Sequence, residues 1–155
     1  MGLLDATEEH PPSKLRRYII TLVVFILLAW GGLWWVLRFH AEKTAAYHFL
    51  NAVVSGNMQQ AYIMWSPSPT YSLKDFESDW GPDGYYGPVK SFNVRGTYRP
   101  PGGPSGVVII VDVSPYQPFP EKDDALKQSK SKEVRLWVQF KDHSVEFPPP
   151  PYEQQ

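Results

Sequence analysis

Cysteine is absent from the 155 residues, which excludes disulfides, thiolate metal sites, a cysteine nucleophile and a lipid-modified cysteine together. Histidine is scarce at four residues. His40 and His48 stand about 80° apart on a helix, with no third ligand at zinc spacing, and His143 lies in a turn. The chain has no glycine-rich phosphate loop and no nucleophile elbow. It also lacks an excess of either charge. The formal net charge is -1 and charged residues make up 20%, so nothing marks a nucleic acid partner. The lysine-rich stretch that ends at Arg135 carries five basic residues against four acidic ones (Glu121, Asp123, Asp124, Glu133) and reads as a solvated loop.

What the chain does have is one long apolar run. From Tyr18 to Leu37, YIITLVVFILLAWGGLWWVL, 20 consecutive residues carry no charge. At about 1.5 Å per residue they span roughly 30 Å, the thickness of a bilayer's hydrocarbon core. Tyr18 stands at the start, and Trp34, Trp35 and Phe39 at the end, where amphipathic rings settle among headgroups. A transmembrane helix is expected over residues 18–39, with these four rings as interface anchors and the lipid bilayer as a partner. The competing reading is a signal peptide, with Lys14, Arg16 and Arg17 as its basic region and Ala29-Trp30-Gly31 as a loose cleavage site. Against it, the run exceeds the ~7–15 residues of a signal core and continues in bulky residues. Ala6 occupies the position where N-myristoylation wants Ser or Thr. Three basic residues before the run, against Arg38 and Lys43 after it, orient residues 1–17 to the cytoplasm and the remainder outside the cytoplasmic (inner) membrane. The Gly31-Gly32 pair is not a small-xxx-small packing motif and reads as ordinary membrane-helix glycine.

Beyond the run, 16 prolines punctuate the chain in clusters. Ala46, Phe49, Leu50 and Val53 fall at i, i+3, i+4 and i+7, the template of one buried helical stripe. Met58, Ala61, Tyr62 and Trp65 repeat it. Between the stripes, Ser55-Gly56-Asn57 offers a glycine to end one helix left-handed and an asparagine to cap the next, and Ser66-Pro67 stops the second. Ser72 and Asp75 have the spacing of a capping box for a short helix carrying Leu73, Phe76 and Trp80, which Gly81-Pro82 ends. The period then changes to two. Val89 to Tyr98 is expected as a strand with Phe92, Val94 and Tyr98 on one side, and Val107 to Val113 as a central strand. Glu133 to Phe140 is a third, with Val134, Leu136, Val138 and Phe140 on one face and Arg135, Trp137 and Gln139 on the other. Val145 to Phe147 is a short fourth that pairs with it. Helices followed by strands predict an α+β domain with an antiparallel sheet curled around helices.

The pieces SGNMQQAY, SLKDF and GPVKSFNV, in that order, resemble the nuclear transport factor 2-like superfamily, an α+β cone, over residues 41–147. The resemblance implies a pocket between sheet and helices, for which Tyr62, Trp65, Phe76, Trp80 and Trp137 are the lining and binding candidates. The bland reading of the same rings, as ordinary core aromatics, is the stronger of the two. Enzymes of this superfamily are expected to place an Asp or His with a Tyr inside the cone. Here Asp75 is better explained as a helix cap, and neither Asp79 nor Asp112 forms an evident pair. The expectation is therefore a non-catalytic domain without metal or cofactor that binds a membrane-protein partner or a small apolar ligand. Its fullest form is an accessory or assembly subunit of a cell-envelope complex. The alternatives are a lone tethered ligand-binding module and a cone-pocket isomerase or hydrolase. The tail, residues 148–155, holds Pro149-Pro150-Pro151-Tyr152, a pattern read by WW domains through polyproline II geometry. With the domain outside the membrane it reads instead as a spacer or packing segment.

Overall fold

A computed structural model describes residues 14–65, 68–102, 105–150 and 152. The tail before Lys14, the Ser66-Pro67 stop, Pro151 and the side chain of Trp35 lie outside the described residues. The chain falls into two compact units, Met1–Arg38 and Phe39–Gln155. The first holds one apolar helix, α1 (Lys14–Leu37, 24 residues), long enough to cross a membrane. Every residue of α1 from Lys14 to Trp34 is exposed, Tyr18 and Trp34 among them. Arg38 closes this unit with its guanidinium over the Trp34 ring, 5.5 Å from the centroid.

The second unit begins with Phe39, which has a left-handed backbone (φ 66°) and precedes α2 (His40–Val54). Its ring stacks on Phe140 at 6.3 Å. Phe39, expected as an interface anchor, thus has a partner ring inside the domain. The α2 stripe is buried as its spacing requires: Ala46, Phe49 and Leu50 are fully covered and Val53 nearly so. The helix then stops at a two-bond motif. Asn57 N–H donates to the Ala52 carbonyl at 2.9 Å and Gly56 N–H to that of Val53 at 3.0 Å, with Gly56 at φ 75°. A left-handed residue lets the chain reach back to these otherwise unpaired carbonyls, and glycine adopts it without a Cβ penalty. Asn57 immediately caps α3 (Met58–Met64) by accepting from Gln60 N–H at 3.2 Å. Ser72 and Asp75 form the reciprocal box that starts α4 (Leu73–Trp80), with the Asp75 carboxylate accepting from Ser72 N–H at 2.8 Å.

Helices are followed by a four-stranded antiparallel sheet: β1 (Ser91–Tyr98), β2 (Gly106–Ser114), β3 (Lys132–Gln139) and β4 (Val145–Glu146), in that spatial order. The fold class is α+β, as the change of period predicts. One turn of helix, α5 (Ala125–Gln128), interrupts the β2–β3 connection that reads as loop, capped by Asp124 accepting from Lys127 N–H at 3.1 Å. Helix α2 lies against all four strands, and α3 packs on both α2 and α4. The core-facing side of the sheet is built from Val107, Ile109, Val111, Val113, Val134, Leu136, Val138 and Val145.

One strand face differs from its expectation. The β1–β2 register pairs Phe92 with Val113 and Val94 with Val111, then slips past Arg95, so that Gly96 pairs with Ile110 and Tyr98 with Val108. A bulge adds one unpaired residue and inverts every later side chain. Phe92 and Val94 therefore pack on the core, whereas Tyr98 is carried to the outer face, and Thr97, opposite Ile109, takes the inner position. Arg95, left unpaired by the slip, sits between the outer-face carboxylates of Glu133 (2.8 Å) and Asp112 (3.4 Å).

Candidate functional site

Four of the five predicted binding residues come together. Trp65, at the end of α3, meets Phe49 at 5.2 Å, Trp80 at 5.5 Å, Phe76 at 5.8 Å and Phe147 at 4.6 Å between ring centroids. Phe49 meets Trp80 edge-on at 5.1 Å, and Tyr62 meets Phe76 at 5.8 Å. These separations and tilts are those of favourable aromatic pairs, each contributing roughly 0.5–1.5 kcal/mol beyond its buried area. Phe76 and Trp80 are fully buried and Trp65 is 4% exposed. The rings pack on one another within the core between helices and sheet. The Trp80 indole N–H is buried without a hydrogen-bond partner in the described residues.

Trp137 does not join them. Strand alternation puts Val134, Leu136 and Val138 in the core and sends Trp137, paired with Val108, to the outer face. There it is buried under the tail, its ring stacked on that of Tyr152 at 5.9 Å with 7° between the planes. Its place as a lining residue beside the helices is corrected accordingly.

The aromatic cluster reaches the surface at one rim. Tyr86 stacks on Trp80 at 4.9 Å and lies 5.9 Å from Phe147. Together with Asp79, Tyr85, Glu133 and Arg135 they border an open cleft of about 550 Å³. The glycine-rich loop that carries both tyrosines is pinned to β3: the Lys132 ammonium donates to the Tyr85 carbonyl and lies 4.5 Å from the Tyr85 ring centroid. Two further hollows, of about 710 and 850 Å³, are formed with the β2–β3 connection. None of the three takes in Tyr62, Trp65, Phe76, Trp80 or Trp137.

The polar groups nearest the cluster are arranged for structure. Tyr62 donates to the Tyr71 carbonyl at 2.7 Å. Tyr71 in turn donates to Asp79 Oδ2 at 2.5 Å. Burial first, and then the bonded carboxylate of Asp79, push the Tyr71 phenol far above its ordinary value. Burial does the same for Tyr86, with smaller contributions from Tyr85 and Asp79. Both phenols stay protonated at neutral pH, so Tyr71–Asp79 serves as a fixed hydrogen bond tying the α3–α4 connection to the end of α4. Asp75 is occupied by the α4 cap, and Asp112 faces outward to Arg95.

Sequence reasoning missed Phe49, Tyr86 and Phe147 as members of the cluster. Phe49 was legible as core from its stripe; Tyr86 sits in a loop, where no period reports burial, and Phe147, expected inside the fourth strand, follows its observed end at Glu146. Comparison of the chain with family models, curated proteins and solved structures finds no match. The class that the coordinates define is an α+β domain with a packed aromatic core and an open cleft at its rim, accompanied by one exposed apolar helix.

Proposed function

We propose that this chain is a single-pass inner-membrane protein whose extracytoplasmic domain, of nuclear transport factor 2-like architecture, binds a protein partner without catalysis. The observation that carries the reading is α1: an apolar helix of membrane length whose described side chains from Lys14 to Trp34 are all exposed. At roughly 25 cal/mol per Å² of apolar surface, leaving such a helix in water is strongly unfavourable, and a bilayer relieves that cost. The basic residues Lys14, Arg16 and Arg17 on its N-terminal side favour a cytoplasmic N-terminus. Three helices followed by an antiparallel meander, with α2 across the sheet, support the superfamily resemblance.

Core rings that pack on one another favour recognition at the surface, and hence an accessory or assembly subunit of an envelope complex. The cleft between Tyr86, Phe147 and Arg135 supports a second reading, a tethered module that holds a small ligand with one apolar and one charged end. Three measurements test the proposal in steps. Alkaline carbonate washing is expected to leave the protein in the membrane fraction, and release into the supernatant refutes the anchor. Reporters fused at Gln155 are expected to be active only outside the cytoplasm. Native gels after mild detergent extraction are expected to show a species well above the 17.7 kDa of the chain. Migration as a free monomer at every detergent level removes the complex-subunit reading and leaves the ligand module.

A further inference from the structure

The outer face of the sheet changes character along its length. One cross-strand row, Asn93, Asp112 and Glu133, is polar and is bridged by Arg95. At the other end a row runs Tyr98, Val108, Trp137 and Glu146, with Val108 and Trp137 buried at its centre. The Trp137 indole lies hard against β2 at Gly106, where even a Cβ would come within 2.6 Å of it. The chain leaves this row at Glu146, and after four prolines it returns. Tyr152 N–H donates to the Pro149 carbonyl at 2.9 Å, folding the tail back and laying the Tyr152 ring parallel to Trp137. In the same row, across Val108 from Trp137, the Tyr98 hydroxyl is buried with no hydrogen-bond partner among the described residues.

From this arrangement we infer that the Trp137 face is a recognition shelf for a proline-rich segment of a partner protein ending in an aromatic residue, and that the chain's own Pro148–Tyr152 tail is the resident competitor for it. The tail shows which chemistry the shelf accepts. Proline segments lose little conformational freedom on docking, they suit flat aromatic surfaces, and their carbonyls lack internal donors. The Tyr98 hydroxyl, in the same cross-strand row, is a donor without a partner among the described residues. A tail tethered so close to the shelf acts at an effective concentration of the order of millimolar, so a segment in trans binds only by displacing it. The shelf lies on the face of the sheet away from the aromatic core, and its existence does not depend on the membrane reading.

The test uses the full chain in detergent micelles and a synthetic peptide of its own residues 147–155, read by the indole N–H resonance of Trp137. With the resident ring removed in Tyr152→Ala, the peptide is expected to saturate that resonance at a roughly three- to tenfold lower concentration than in the wild type. A peptide with its tyrosine replaced by alanine, which needs no change in the protein, is expected to bind more weakly. Trp137→Phe in the Tyr152→Ala background, read instead by fluorescence anisotropy of the labelled wild-type peptide, should weaken its binding as well. Equal saturation of wild type and Tyr152→Ala, an unmoved Trp137 resonance, or equal binding of the alanine peptide overturns the inference.

Discussion

Replacing Trp65 by alanine separates a filled interior from an open container. In the structure Trp65 is 4% exposed, and its ring lies within 6 Å of four others, the nearest being Phe147 at 4.6 Å between centroids. Those neighbours belong to α2, α4 and the segment after β4, so they cannot collapse together into the vacated space without moving the helices. Truncation at such a site costs about 3–5 kcal/mol. For a domain of roughly 115 residues the unfolding entropy near the midpoint is about 0.24 kcal/mol/K, so the melting temperature should fall by about 12–20 °C. Thermal unfolding of the detergent-solubilised full chain, followed by near-UV circular dichroism, measures this. Trp65→Phe, which keeps an aromatic ring in place, should fall between the two. Benzene added to Trp65→Ala should recover part of the loss, because an apolar cavity stays dry and takes an apolar solute. A melting temperature within about 3 °C of wild type would refute the core reading. If partner binding were lost at the same time, Trp65 would be a surface anchor.

Gly56→Ala is expected to destabilise by about 1–2 kcal/mol in urea unfolding, and the cause is backbone strain alone, since φ is 75° and a Cβ there meets nothing within 4 Å; an unchanged midpoint refutes the left-handed cap. Gly106→Ala is a steric test: its Cβ would approach the Val138 carbonyl oxygen to 2.5 Å, so a loss of stability together with a shift of the Trp137 indole resonance is expected, and a variant as stable as wild type with that resonance in place contradicts the packing. For Asp75, hydrogen bonds from Ser72 hold the carboxyl below its ordinary 3.8. A depressed folded value means that the cap contributes stability above 3.8 and loses it as the pH falls from there through the folded value. Carboxyl titration by NMR should place Asp75 below 3.8 in wild type and move it upward in Ser72→Ala; no movement refutes the capping box.

Local chemistry was legible in the sequence where one segment contains its own reasons. The Gly56-Asn57 break, the Ser72–Asp75 box and the α2 stripe each depend on residues within about one or two turns of each other, and each is found where spacing predicts it. The four strands and their antiparallel pairing follow from period and turn signals in the same way. What escaped depends on a second segment. Tyr98 changes face because of a slip at Arg95, and that slip is a property of the β1–β2 pair; β1 alone reads as simple alternation. Alternation set Trp137 beside Arg135, but only the returning tail shows that this face is covered. Whether the cluster of Trp65, Phe76 and Trp80 leaves a void is decided by Phe49, Tyr86 and Phe147 arriving from three other places in the chain.

The slip at Arg95 also bears on how the protein behaves in a crowded compartment. Strand β1 is the outermost of the sheet and eight residues long, and a flat, regular edge of that length is a template on which a strand from another molecule can grow, the first step towards insoluble aggregates. An extra residue halfway along breaks the spacing of that template and increases its twist. The guanidinium there, half-exposed and held between two carboxylates, would have to shed water for a second sheet to close over it. The same irregularity that moved Tyr98 to the outer face thus breaks the regularity of the sheet's longer edge strand and works against self-association there.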